Sequence, residues 1–80
     1  MSLNKVFLIG RLGKDATTKV FENGGQITKL SIATDRSFKN KSDDWETVVQ
    51  WHQIKCSNYM SKKAQDLKKG DTVTIMGELQ

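Results

Sequence analysis

Asn4-Lys5-Val6-Phe7-Leu8-Ile9-Gly10-Arg11-Leu12-Gly13-Lys14-Asp15 decides the fold of this 80-residue chain. Leu3 to Leu12 is apolar with almost no polar interruption, which predicts a strand covered on both faces. Gly10 and Gly13 close that strand, and the turn they open is basic. Further along, Trp51-His52 sets a large aromatic ring inside another strand. Together these pieces describe a small β-barrel that offers charge and flat aromatic surface on its outside.

The rest of the chain is punctuated as a β-rich fold. A short run from Thr17 to Phe21 leads into Asn23-Gly24, a hairpin signal because both residues tolerate φ > 0. Ile27 to Phe38 is the return strand. It is long enough that a bend or bulge is expected, since simple alternation puts Leu30, Ile32 and Phe38 on one face. Lys39 to Asp44 is polar and reads as a mobile hairpin loop. Trp45 to Cys56 is the third strand, with Thr47, Val49, Trp51, Gln53 and Lys55 on one face and Val48, Ile54 and Cys56 on the other.

One helix is expected from about Asn58 to Lys69, because Met60, Ala64 and Leu67 fall at i, i+4 and i+7. Ser57 or Ser61 caps its start, Lys68-Lys69 suit its C-terminal dipole, and Gly70 is an αL terminator. Thr72 to Leu79 is the fourth strand, with Val73, Ile75 and Leu79 facing in. The order is therefore β-β-β-α-β, a mainly β, single domain over residues 1–80. One helix between strands 3 and 4 matches the oligonucleotide-binding (OB) fold, a five-stranded Greek-key β-barrel. The closing strand is then missing, which leaves an open edge. Truncation of a longer protein is the favoured explanation, ahead of an edge covered by a neighbouring subunit.

Net charge is +4, and its distribution says more than its sum. Residues 1–42 carry eight Lys/Arg against three acids, whereas residues 43–80 carry five against six. A basic excess confined to the first strands and their connections is the footprint of a phosphate backbone. No apolar run reaches the length of a membrane span, and the N-terminus lacks a signal-peptide core. A soluble, cytoplasmic protein is expected, with no membrane partner. The single Cys56 has no disulfide partner, fits a reducing compartment, and reads as a small core residue.

Catalysis is not expected. One His and one Cys supply neither a zinc quartet nor a nucleophile–base pair, so no metal and no cofactor are expected. Gly10-x-x-Gly13-Lys14-Asp15 has a phosphate-loop flavour, but the spacing is short and an Asp stands where the Mg²⁺-binding hydroxyl belongs.

The same residues resemble the bacterial single-stranded DNA-binding protein family. Asn4 to Asp15 is similar to its opening strand and turn, Asn23-Gly24-Gly25 to its first hairpin, and Leu30-Ser31-Ile32-Ala33-Thr34 to its second strand. Trp51-His52 matches the family's Trp-His pair. Leu67-Lys68-Lys69-Gly70-Asp71 and Gly77-Glu78-Leu79 resemble its helix end and fourth strand. The resemblance implies an OB-fold, homotetramerisation, and sequence-tolerant binding of single-stranded DNA during replication, repair and recombination, in a bacterial, nucleoid-associated setting. It departs at Ala16, where the family usually has Pro. The later hairpin, the closing strand and the C-terminal tail with its acidic tip are absent from the 80 residues. Replication and repair proteins recruited by that tail are therefore partners of such a protein, not of this stretch.

By position, the resemblance makes Phe38 and Trp51 stacking aromatics, puts Lys5, Arg11 and Lys14 on the backbone track, and sets His52 near a subunit interface. The residues themselves add to this. Trp51 shares its strand face with polar Thr47, Gln53 and Lys55, Phe38 ends a strand beside a basic loop, and Trp45 is a third candidate ring beside Asp43-Asp44. Lys14, Arg11, Lys29, Arg36 and Lys39 are the candidate phosphate contacts, and the helix lysines read as a solvated face. A replication-restart or primosomal OB-fold adaptor, working mainly through protein–protein contacts, is the alternative reading.

Overall fold

Hydrogen bonding along one long strand organises the computed structural model, which describes residues 2–80. The elements are β1 (Val6–Leu12), β2 (Thr17–Val20), β3 (Gln26–Lys39), β4 (Trp45–Ser57), α1 (Asn58–Ala64) and β5 (Thr72–Gly77). Every strand pair is antiparallel. Along one edge, β3 takes β4; along the other it takes β2 and the end of β1, and β1 carries β5 beyond. The helix follows β4 rather than a third strand because Thr17–Val20 is a strand of its own. Its place in the chain is the expected one.

Of the bend or bulge expected in the 27–38 strand, a bulge is absent. The β3–β4 ladder runs in one register from Ile27↔Ser57 to Lys39↔Trp45, without a bulge. The irregularity lies in the first strand instead. Leu12 pairs with Ile32 and Thr17 with Lys29, so the chain between β1 and β2 holds two residues more than the β3 segment it spans. The Gly13 N–H still donates to Ser31 O of β3, and beyond it the chain leaves the sheet and Asp15 and Ala16 bond to the loop after the helix. Asp15 Oδ1 accepts from the Lys69 N–H at 2.8 Å, and the Ala16 N–H donates to Leu67 O at 3.0 Å. A proline at position 16 would have no proton for that bond.

Four apolar side chains form the buried core: Leu12, Leu30, Ile32 and Ala64. Ala16, Ile54, Cys56, Leu67, Val73 and Ile75 pack around them. Leu3 to Leu12 is not covered on both faces as its apolar run predicts. Phe7 and Ile9 are 61% and 60% exposed, because the described residues supply cover only for the Leu8 and Leu12 side. Leu79 also faces water, since β5 ends at Gly77.

The helix is a short piece of the expected one. It ends at Ala64 and buries Ser61 and Ala64, while Met60 points outward. Ser57 is the N-cap residue but makes no side-chain cap bond. Leu67 reaches the core from the turn that follows, and Gly70, at φ +92°, belongs to the turn into β5, where its N–H donates to Leu12 O. In the first hairpin only Gly24 has positive φ, following a Phe21–Gly24 turn, which is the three-residue loop form rather than a two-residue one. The 39–44 loop is ordered by Asn40, whose Oδ1 accepts from the Ser42 and Asp44 N–H groups.

A polar cluster joins helix to sheet. Thr28 and Ser61 are both fully buried, and their hydroxyls lie 2.6 Å apart. Thr28 Oγ1 also meets Thr18 Oγ1 at 2.7 Å, and Gln26 Nε2 donates to Ser61 Oγ at 3.0 Å. Every buried side-chain polar atom among the described residues is partnered. Thr28→Val keeps the volume but removes the shared hydroxyl. We expect it to cost roughly 1–3 kcal/mol in urea unfolding; an unchanged midpoint would show that the cluster adds nothing net.

Candidate nucleic-acid interface

An unbroken antiparallel ladder fixes the face of every side chain in it, because directly paired residues project to the same side. Trp51 pairs with Ala33, and Ala33 in turn with Arg11, which pairs with Thr72. One rung across four strands therefore reads Trp51–Ala33–Arg11–Thr72. Trp51 is 57% exposed, and the small Ala33 is all that separates its strand position from that of Arg11. Two strand spacings put the Trp51 and Arg11 backbones about 10 Å apart.

Other groups lie on the same face at even offsets along β4. Towards the tip of the hairpin arm, Trp45, 69% exposed, pairs with Lys39, whose ammonium lies 5.8 Å from the ring centroid. Towards the barrel, Gln53 donates to Ser31 at 3.2 Å, and beyond it Lys55 stands directly opposite Lys29. By strand rise, Trp45 lies about 20 Å from Trp51, and the lysine pair about 13 Å away on the other side. Asp35 is the one acid on this face of β3 and β4. Lys14, just past the end of β1, is exposed.

Phe38 and Arg36 go elsewhere. Phe38 pairs with Glu46 and Arg36 with Val48, so both lie on the opposite face of the arm from Trp51. The Arg36 guanidinium sits 5.8 Å from the Phe38 centroid, and the ring is 38% exposed. Lys5 precedes β1 and is also apart from the cluster, near Glu78 and about 20 Å from Arg11 along the strand. His52 is half-buried on the core side, its Nε2 2.8 Å from Thr34 Oγ1. Cys56 faces the core too, and burial pushes its thiol pKa up, which suits a packing role rather than a nucleophile.

Lys55 joins this face without being among the phosphate contacts expected from the sequence. The signal for it exists: it shares a strand face with Trp51 and, once β3 is in register, meets Lys29 head-on. Neither lysine has a carboxylate within ion-pairing distance among the described residues, where Lys39–Asp43 at 3.8 Å is the ion pair present. Like charges directly opposite on a sheet are destabilising. A face that keeps such a pair is suited to an anion.

The model of the single-strand binding protein family matches residues 3–80. The single-stranded DNA-binding proteins of Neisseria meningitidis serogroups A and B are each 37% identical over the whole chain. This chain covers 47% of their length, so it spans about half of these curated relatives. Among solved structures, a deletion mutant of the Thermus aquaticus single-stranded DNA binding protein superposes with a TM-score of 0.86 at 28% identity, covering 98% of this chain and 38% of that one. A Plasmodium falciparum SSB in complex with ssDNA gives 0.85 at 28%, covering all of this chain and 72% of that one. The mainly β architecture is thus the Greek-key OB-fold expected from the sequence.

Replacing one lysine of the opposed pair tests the electrostatics of the face. Lys55→Glu should stabilise the free protein by roughly 0.2–1 kcal/mol in low-salt urea unfolding, and less as salt rises. No stabilisation at low salt would mean that the two ammonium groups already splay into water.

Proposed function

The chain belongs to the single-strand binding protein family, and on that premise we propose that it binds single-stranded DNA without reading its sequence. The observation that carries this is the Trp51–Ala33–Arg11 rung, an exposed indole and a cation on one face with only a methyl group between them. A flat ring accepts any base, because every base has a π-face. Each stacked base contributes roughly 1–3 kcal/mol by alanine substitution in single-strand-binding proteins, a class whose standard examples include this family.

In this reading Trp51 and Trp45 take bases along β4, while Arg11, Lys29, Lys39 and Lys55 hold phosphates on the same face, with Lys14 beside them. Phe38, backed by Arg36, serves a strand that passes round the arm to its other side. Lys5 adds general attraction rather than a contact at the rung. Residues 1–80 act as one such domain. Replication, repair and recombination are the processes that expose single strands, and they are the proposed setting. The exposed Phe7, Ile9 and Met76 support self-association, for which a homotetramer is the proposed state.

The test is a titration with an oligo-dT strand and with a duplex of equal charge, followed by tryptophan emission. Strong quenching by the single strand and little by the duplex is expected. With four cations on the track, log K should fall against log salt with a slope of about −3. A flat salt response, or equal quenching by the duplex, would contradict the proposal and favour a protein–protein adaptor.

A further inference from the structure

Gly13 stands where β1 leaves the sheet, and the space above its Cα is already taken. A Cβ built there would lie 2.3 Å from Trp51 Cζ3 and 2.5 Å from Cη2, with Cε3 at 3.4 Å. These atoms belong to the six-membered ring, so the outer edge of the indole rests on the Gly13 backbone.

Backbone conformation does not require this glycine. The positive-φ glycines are Gly24 and Gly70, and both face open space. Gly13 is the reverse case: an ordinary φ and a filled volume. Its N–H is also fixed, donating to Ser31 O at 3.0 Å, so the seat cannot easily move. The other close neighbour on this face is Ala33, directly paired with Trp51. Two minimal side chains, on two different strands, leave room for one large ring.

We infer that Gly13 is a positioning residue for Trp51: it seats the indole at one orientation and so sets the plane that a base meets. The inference rests on the stacking role proposed for Trp51. A methyl group at position 13 would drive the ring off its seat, because contacts below 3.0 Å force one partner to shift and the ring atoms sit on a stiff, two-torsion side chain. The ring would remain present and exposed but wrongly set. Loss of stacking would then follow from geometry, without any loss of charge or aromatic surface.

A double-mutant cycle separates this from a structural effect. Affinity for fluorescein-labelled oligo-dT would be measured by anisotropy for the unmodified protein, Gly13→Ala, Trp51→Ala and the double variant. Gly13→Ala should weaken binding about five-fold or more when Trp51 is present, and by less than about 1.5-fold when it is absent. Equal losses in both backgrounds would overturn the inference, since Gly13 would then act through the chain and not through the ring. Rescue gives a second readout. Phe carries a smaller ring without the second fused cycle, so Gly13→Ala should cost less in a Trp51→Phe background than beside Trp51, and an undiminished cost there would also overturn it.

A measurement without DNA keeps the two readings apart. In a Trp45→Phe protein all tryptophan emission comes from Trp51, and Gly13→Ala should shift its maximum and raise its quenching by acrylamide. Unchanged emission would show that the ring is not seated by Gly13. If Trp51→Ala leaves oligo-dT affinity intact, the stacking role fails, while the emission experiment still decides the seat.

Discussion

The site depends on the continuity of one ladder. Because β3 and β4 pair in a single register over their whole length, every residue of the arm has its face set by parity alone. Trp45, Trp51 and Lys55 share the outer face because they are separated by even numbers of residues. Phe38 is on the other side for the same reason. A single bulge between residues 46 and 50 would put Trp45 on the other face from Trp51 and Lys55. The irregular turn that the chain does need is moved out of β3 and into the connection between β1 and β2. There it disturbs no rung of the β3–β4 pair.

That displaced irregularity has a second consequence. The radius of gyration, 15.7 Å, exceeds the roughly 12 Å of a compact 80-residue domain, because the ends of β3 and β4 run out as an arm with no core beneath them. Stability is therefore concentrated at the other end, where the apolar core is only four buried residues. Polar contacts carry part of the cohesion there. Thr28 and Ser61 lock helix to sheet, and the 13–16 segment is held to the 67–71 loop through Asp15 and Ala16. The same segment that ties the loops together also presents Gly13 to Trp51. Fold and site meet at one turn.

Much of this is readable from the residues alone. The strands, the place of the helix, and the two faces of β4 follow from period-2 and period-3.6 patterns that burial then rewards. The misreadings share a cause. The run Leu3–Leu12 predicts cover on both faces, but composition cannot say whether anything is there to supply it, and Phe7 and Ile9 are bare. Met60 fits an apolar stripe better than Ser61 does on hydropathy grounds, yet Thr28 has a buried hydroxyl to satisfy, so Ser61 faces in. The separation of Phe38 from Trp51 needs the inter-strand register, which no single strand contains. Lys55 is visible on its own strand, but its confrontation with Lys29 is not.

Three features left over when the fold has been explained fall on one face. An indole stands more than half exposed, a second ring is bare at the arm, and two lysines oppose each other without an acid between them. Each is unfavourable for the isolated domain, and none is needed to pack the core or close the ladder. Sequences that fold well are locally consistent, and departures from that consistency collect where function requires them. A polyanion with flat bases relieves all of these departures at once: phosphates offset the lysine pair, and bases cover the rings. A duplex relieves only the first, because its bases are already stacked. The distribution of local cost over this surface is therefore the physical ground on which the proposed preference for single strands over duplex rests.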